Sequence, residues 1–436
     1  MQACSLPKTS VWLAACSALA LLFNAAPADA FVISEDPLEE RSFSIGGALR
    51  SYTLWLNDGL LDSPFADPDD NPAALSVLAL RPTLEFKLPE LSFVVHDELT
   101  STSSTLATGA LGSTLPIGQG GKAPLWLPLE WSVVDQSHFH LENRIDWLFV
   151  RATLKSLSFT LGRQPASIGR GQIWTPEDLL APFSPLDLST EYKSGIDAAR
   201  LDLTIADGAT LLLLGSIGKQ PPKHDFEVGR DGSAALGRFE IAVATLRLGA
   251  LAGWVRGDGI GGVDLFVDLG HGSDLHGSGT VSYVPDPARR PYGRQAFNRA
   301  VFGTTAKPAD KLLLTGELHY NGSGAAKPED YLEEFNSERF AVGEAYNVGR
   351  LYAGVVLDFE VHPLLHALFS AISNLEDPSA LVAPEVDYNL AQNAMVVLGA
   401  FIPIGRGPSY AAGEVTARSE FGLYPQIYHV DAKLFF

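Results

Sequence analysis

The sequence holds two cysteines, and both, Cys4 and Cys16, fall among its first sixteen residues. The rest of the chain therefore has no disulfide framework, no thiolate metal site and no thiol nucleophile. Basic residues are also scarce: 31 Lys and Arg stand against 51 Asp and Glu, a net charge of −20. Nucleic acid is excluded as a partner, because it needs a basic footprint. After Phe31 no apolar run reaches the roughly 20 residues of a spanning helix. Propeller-type repeats of about 20–50 residues are missing as well.

What is present begins with the first thirty residues. Lys8 supplies a positive start, Val11 to Phe23 an apolar stretch, and Ala28-Asp29-Ala30 a small-residue cleavage site. The pattern predicts a cleaved signal peptide over 1–30 and one remaining domain over 31–436. A lipoprotein box at Leu13-Ala14-Ala15-Cys16 would leave almost no apolar stretch before its cysteine. Lys8 and Asp29 cancel, so cleavage leaves the net charge unchanged.

The remainder is dominated by period-2 alternation, the signature of half-buried strands. In 138–150, Phe139, Leu141, Ile145, Trp147 and Phe149 share one face, while His138, His140, Glu142, Arg144 and Asp146 share the other. A soluble sheet gains little from such a pair of faces; a barrel with lipid outside and a wet lumen inside uses both. On this reading His140, Glu142, Arg144 and Asp146 face the lumen. Segments 77–87, 155–163 and 347–359 alternate similarly. So does the end of the chain, where Tyr428, Val430, Ala432, Leu434 and Phe436 oppose His429, Asp431 and Lys433. Tyr428 and Phe436 are expected in the aromatic girdle of the membrane. A terminal Phe preceded by alternating apolar residues also resembles the C-terminal signal of bacterial outer-membrane barrels.

Short turns such as Asp207-Gly208, Pro89-Glu90 and His362-Pro363 alternate with long polar stretches at 57–75, 101–137, 164–195, 218–237, 285–293, 321–346 and 405–423. The expected fold is all-β: one transmembrane, antiparallel, up-and-down barrel of about 18 strands, with 16 the nearest even alternative. Both termini are expected on the short-turn, periplasmic side.

The stretch 161–200 stands apart. It contains Gly162-Arg163-Gln164, Gly169-Arg170-Gly171, Pro182-Phe183-Ser184-Pro185-Leu186-Asp187 and Gly195-Ile196-Asp197-Ala198. It resembles runs in porin-like and alginate-export-like barrels, a resemblance confined to this stretch and the terminal Phe. In general porins the corresponding loop folds into the lumen, which implies that 164–195 narrows a pore. Arg163, Arg170, Asp178, Asp187, Lys193 and Arg200 are then the candidate constriction residues. The competing reading is a loop that braces the wall.

Other constellations are weaker. His138 and His140 lack further ligands for a metal. Acidic clusters at Asp58, Asp62, Asp67, Asp69 and Asp70, and at Glu329, Asp330, Glu333, Glu334 and Glu338, suit solvated loops or cation bridges to lipopolysaccharide. His96-Asp97-Glu98 and Ser137-His138 do not form dyads by themselves, since neighbours on a strand face apart. The expected function is a passive outer-membrane channel for small hydrophilic solutes, needing no cofactor. Its expected partners are lipid, lipopolysaccharide and the barrel-assembly machinery. The alternatives are export or binding of a surface polysaccharide, with Trp126, Trp131 and Trp174 stacking sugars, and a barrel enzyme.

Overall fold

The computed structural model describes residues 31–36, 41–59, 72–106, 125–184, 187–188, 190–219, 228–285, 295–411 and 413–436. The expected signal peptide lies outside these residues, as do most of the first acidic cluster and Leu186.

Eighteen antiparallel strands form the wall. They are β1 (Arg41–Asn57), β2 (Ala73–Lys87), β3 (Leu91–Ser104), β4 (Phe139–Leu154), β5 (Leu157–Pro165) and β6 (Gly195–Ala206); β7 (Ala209–Ser216), β8 (Ala234–Val243), β9 (Leu246–Val255), β10 (Asp258–Gly270), β11 (Ser273–Tyr283) and β12 (Ala296–Ala309); β13 (Leu312–Asn321), β14 (Leu351–His362), β15 (Leu365–Asn374), β16 (Ser379–Ala391), β17 (Ala394–Ile404) and β18 (Gln426–Phe435). Each pairs with its neighbours in sequence, and β18 closes on β1 from Ala48↔Phe435 to Asn57↔Gln426. Closure leaves no long sheet edge unpaired, which a membrane requires.

Local chemistry sets the turns. Lys155, Ala244 and Arg256 take positive φ, and so do Gly208 and Gly257, giving the tight hairpins that match strand twist. The stretch from Arg256 to Gly262 is therefore a two-residue turn followed by the start of β10. The connection after β12 is equally short, because β12 runs to Ala309. Conversely, two strands lie outside the expected layout. Phe31–Asp36 pairs with the start of β1, and Glu130–Gln136 pairs with the first turn-side residues of β4 inside a stretch expected as loop.

The wall is inverted relative to a soluble protein. Leu80, Phe86, Phe93, Leu161, Leu213, Phe239, Val263, Val281, Phe302, Leu318, Phe359, Val386 and Leu398 are exposed, while Arg81, His96, Asp146, Asp264, His276, Glu317 and Asp431 are buried. Water cannot be the solvent for that outer face at acceptable cost; lipid can. The inner face is not uniformly polar. Leu214, Leu236, Leu251 and Ile260 point inward and pack against Ile168, Leu179 and Leu180 of the segment between β5 and β6.

One expected face is corrected. The β3–β4 register slips between His96 and Asp97, so Trp147 opposes His96 and Ile145 opposes Asp97. The extra residue, Asp146, makes a bulge, which turns adjacent side chains to one side. Above it His140, Glu142, Arg144 and Asp146 look inward. Below it Trp147 and Phe149 also turn in, away from lipid, and Trp147 stacks on the buried His96 with ring centroids 4.1 Å apart.

Replacing Leu213, mid-strand on the outer face, by Arg should cost about 2–4 kcal/mol in lipid. Urea unfolding in vesicles measures it, and an unchanged midpoint would place that face in water.

Candidate functional site

The segment between β5 and β6 crosses the interior. It leaves the wall at Pro165 and returns at Gly195. Its tip meets β13 and β14, eight strands away in a ring of eighteen. Gly169 has φ 109°, and a Cβ on Gly171 would collide with the Trp174 carbonyl, so the sequence Gly-Arg-Gly permits the tight reversal there.

A reversal of this kind exposes backbone N–H groups that need an acceptor. Glu317 of β13 supplies it. Its carboxylate accepts from the N–H of Gln172 (2.6 Å), Ile173 (3.2 Å) and Trp174 (3.0 Å), and meets His276 Nε2 at 2.8 Å. His276 Nδ1 reaches Asp274 at 2.6 Å, and both Glu317 and His276 are sealed from solvent. Trp174 completes the anchor: its indole N–H donates to Asn347 at 2.9 Å, and its ring stacks on His319. The ring also lies over Gly354, where any Cβ would meet it at 2.7 Å.

Ion pairs hold the flanks. Arg170 binds Glu240 of β8 (2.5 Å) and Asp264 of β10 (3.2 Å). Lys193 pairs with Asp178 within the segment, and its carbonyl accepts from Trp147 Nε1 at 2.9 Å. Arg81 lies 4.5 Å over the Tyr192 ring while pairing with Asp146 and Glu98, each at 2.8 Å. Arg144 shares Glu98 at 2.7 Å. Lys433 reaches Glu191 at 2.7 Å, and Arg50 donates to the Leu188 carbonyl at 3.1 Å. The segment is thus tied to β1, β2, β4, β8, β10, β13 and β18.

Among the expected constriction residues, Arg170, Asp178 and Lys193 sit inside the barrel, with Asp187 alongside. Asp187 accepts from the Ser184 N–H at 2.7 Å, and burial pushes its carboxyl up to about 6. Arg200 faces in but belongs to the wall, forked onto Asp202 at 2.7 and 2.8 Å. Arg163 is displaced from the expected place. It opposes Leu148 and Asp197 in register, the outward parity, and is fully buried. It binds Asp197 at 2.8 Å and the Leu127 carbonyl at 2.6 Å, so it clamps segment 125–129 to the outside of the wall. Its outward place continues the alternation of Leu157, Phe159 and Leu161, against the lumenal role that the loop resemblance implied.

His140 lies between Asp135 and Glu142, at 3.4 and 3.2 Å. Tyr428 is half exposed on the outer face. The Phe436 ring packs where a Gly47 side chain would be, and its backbone exchanges two hydrogen bonds with Gly47. Trp174, expected as a sugar platform, is 4 % exposed and committed to the anchor. His96 is flat against Trp147, and His138 turns to the Ser104 carbonyl at 3.2 Å. Among the described residues no group of three or more His, Cys, Asp or Glu is placed to hold a metal ion. Glu317, Glu177, Arg81 and Tyr192 are the site residues that pattern reading passed over.

Space remains beside the segment. A cavity of about 400 Å³ lies between Ser167, Ile173, Lys193 and the β14–β15 residues Val355, Val356, Ser370 and Ile372. Another, of about 150 Å³, is lined by Arg50, Arg81, Glu98, Arg144, Tyr192 and Lys433.

Two outcomes follow from the anchoring. Glu317→Ala strands three N–H groups and a histidine, a loss of about 3–5 kcal/mol by analogy with broken buried pairs. Trypsin should then cut after Arg170 in folded protein, with the barrel still intact by gel mobility. The second concerns Glu177, which is 1 % exposed and has no hydrogen-bond partner. Burial, with Asp264 adding to it, pushes its carboxyl up to about 7. Freed, this carboxyl ionises from its ordinary value near 4.5; docked, it holds its proton to about 7, so docking weakens as pH rises from about 4.5 to about 7. Tryptic cutting should therefore rise from about pH 6 to about pH 8, and Glu177→Gln should flatten the rise.

No family model and no curated protein matches the sequence. Solved structures do match in shape. OccAB4 of Acinetobacter baumannii superposes with a TM-score of 0.57 at 7 % identity, covering 92 % of this chain and all of that one. OccK9 (OpdG) of Pseudomonas aeruginosa gives 0.53 at 10 % identity over 90 % of this chain and 98 % of its own. A BenF-like porin from Pseudomonas fluorescens Pf-5 gives 0.51 at 9 % identity, with the same coverage. At these identities the shared property is the fold, and the chain has the eighteen-stranded barrel fold of these proteins.

Proposed function

We propose that the protein is a bacterial outer-membrane channel for passive diffusion of small hydrophilic solutes, with 164–195 as its constriction. The observation that carries this reading is the segment's path: it spans the lumen and is pinned to the far wall by Glu317. A segment that only braced one side would have no use for an acceptor eight strands away. The polar pairs around it and the cavities beside it supply a wetted route whose width and charge select solutes. The BenF-like porin has the same fold, which supports the reading by analogy.

In this orientation the short turns and both termini face the periplasm. The long connections meet lipopolysaccharide, and the barrel-assembly machinery inserts the chain. Within the constriction, Asp178, Asp187 and Lys193 border the larger cavity, Arg170 ties the segment to β8 and β10, and Arg163 and Arg200 stabilise the wall.

Purified, folded protein in a planar bilayer should give discrete conductance steps. Glu317→Ala should raise the conductance or its noise, because the segment loses its far anchor. A correctly folded barrel that gives no conductance, with or without that substitution, would overturn the proposal.

A further inference from the structure

The wall is electrically lopsided. From residue 351 to residue 405 the sequence has no Lys or Arg, a span that comprises β14 to β17. Its inward positions nonetheless carry Asp358 and Glu360 on β14 and Glu385 and Asp387 on β16. Their outward neighbours Phe359, Val361, Val386 and Tyr388 are all exposed apolar groups, which fixes the parity.

Elsewhere in the lumen, much of the positive charge is already matched. Arg50, Arg81, Arg144, Arg200 and Arg238 each lie within 3 Å of a carboxylate. Lys433, on the strand beside β17, is held by Glu191 at 2.7 Å and approaches Asp431 at 3.8 Å. Glu360 has Lys311 at 3.6 Å, and Asp358 has His366 at 2.9 Å. Among the described residues, neither Glu385 nor Asp387 pairs with a Lys or Arg.

A second observation points at the same place. His429, 4 % exposed, lies over Gly399 with Nε2 3.8 Å from Glu385, beyond hydrogen-bond range, and its Nδ1 has no partner. Gly399 makes this possible, since a side chain there would overlap the imidazole. Next to it Asp431, 1 % exposed, keeps Oδ1 unpaired while Oδ2 serves Arg50. Buried acceptors without donors are costly unless something visits them. Glu385 itself remains 30 % exposed to the lumen.

We propose that Glu385 and Asp387, backed by His429 and Asp431, form a lumenal binding site for organic cations bearing a primary ammonium group. An ammonium brings three N–H donors and one positive charge to a sector that has acceptors and no cation. The low-dielectric wall keeps the attraction strong. The channel is accordingly cation-selective, and its acidic sector faces the arginine-bearing strands across the constriction. The inference rests on the channel reading and adds the charge class of the solute.

The test uses the full barrel and a Glu385→Gln/Asp387→Asn variant, with putrescine as the probe. In a bilayer under a KCl gradient the wild type should show a reversal potential of cation-selective sign, and putrescine should block it transiently. The variant should keep its conductance steps, move the reversal potential toward zero and need about tenfold more putrescine, which corresponds to ~1.4 kcal/mol. Anion selectivity in the wild type, or a putrescine block unchanged in the variant, would overturn the site. A wild type that conducts nothing fails the channel reading instead. Putrescine titration of the detergent-folded barrel, by calorimetry, then judges the site alone: binding lost in the variant upholds it, and no binding sinks it. A variant that fails to refold is replaced by Asp387→Asn alone, judged on the same readings.

Discussion

One buried carboxylate organises the interior. Glu317 gathers three backbone N–H groups and a histidine from two directions, and so converts a Gly-rich excursion into a strut across the lumen. Without an acceptor there, the reversal at 169–174 would need water for its backbone. Trp174 would also have no reason to lie in the slot that Gly354 leaves open. The ion pairs of Arg170 and Lys433, and the stacking of Arg81 on Tyr192, then act on a segment whose far end is already fixed. Together they define a narrow set of positions because the ends cannot drift.

The wall and its contents follow opposite rules. Outward positions are apolar because lipid is their solvent, and inward ones are polar where water or an ion pair serves them. Against the segment's base, however, Leu214, Leu236 and Leu251 make a small hydrophobic core within the lumen. A second apolar cluster joins Trp174 to Tyr352 of β14, Ile372 of β15, Leu381 of β16 and Phe401 of β17, so the barrel holds on both sides of the segment what a soluble domain holds in its core. The carboxylates of β14 and β16 occupy other inward positions of that sector.

Much of the barrel was legible in the sequence because period-2 alternation survives in a chain whose two solvents differ so strongly. Strand number and closure followed from turn spacing. The alternation misled where backbone geometry changed it. The bulge at Asp146 turned Trp147 inward, an event of register that a side-chain pattern does not encode. Arg163 is different: the alternation of Leu157, Phe159 and Leu161 already points it outward, and only the loop resemblance implied a place in the lumen. Glu317 was illegible for another reason: a single acidic residue among β13's inward positions looks like any wetted wall residue. Its role exists only through a partner from another strand pair. Arg170 and Lys193 could be read because their own loop announced them.

The strut's anchor also has a temporal meaning. Gln172 and Glu317 are 145 residues apart in the chain, so their bond has a high contact order. The segment has no far wall to meet until β13 exists and has curled round to face it. During assembly, then, the strut stays detached while the strands zip together, and its docking is among the last events. The arrangement makes docking depend on closure: the segment can reach Glu317 only once the ring that carries it has formed.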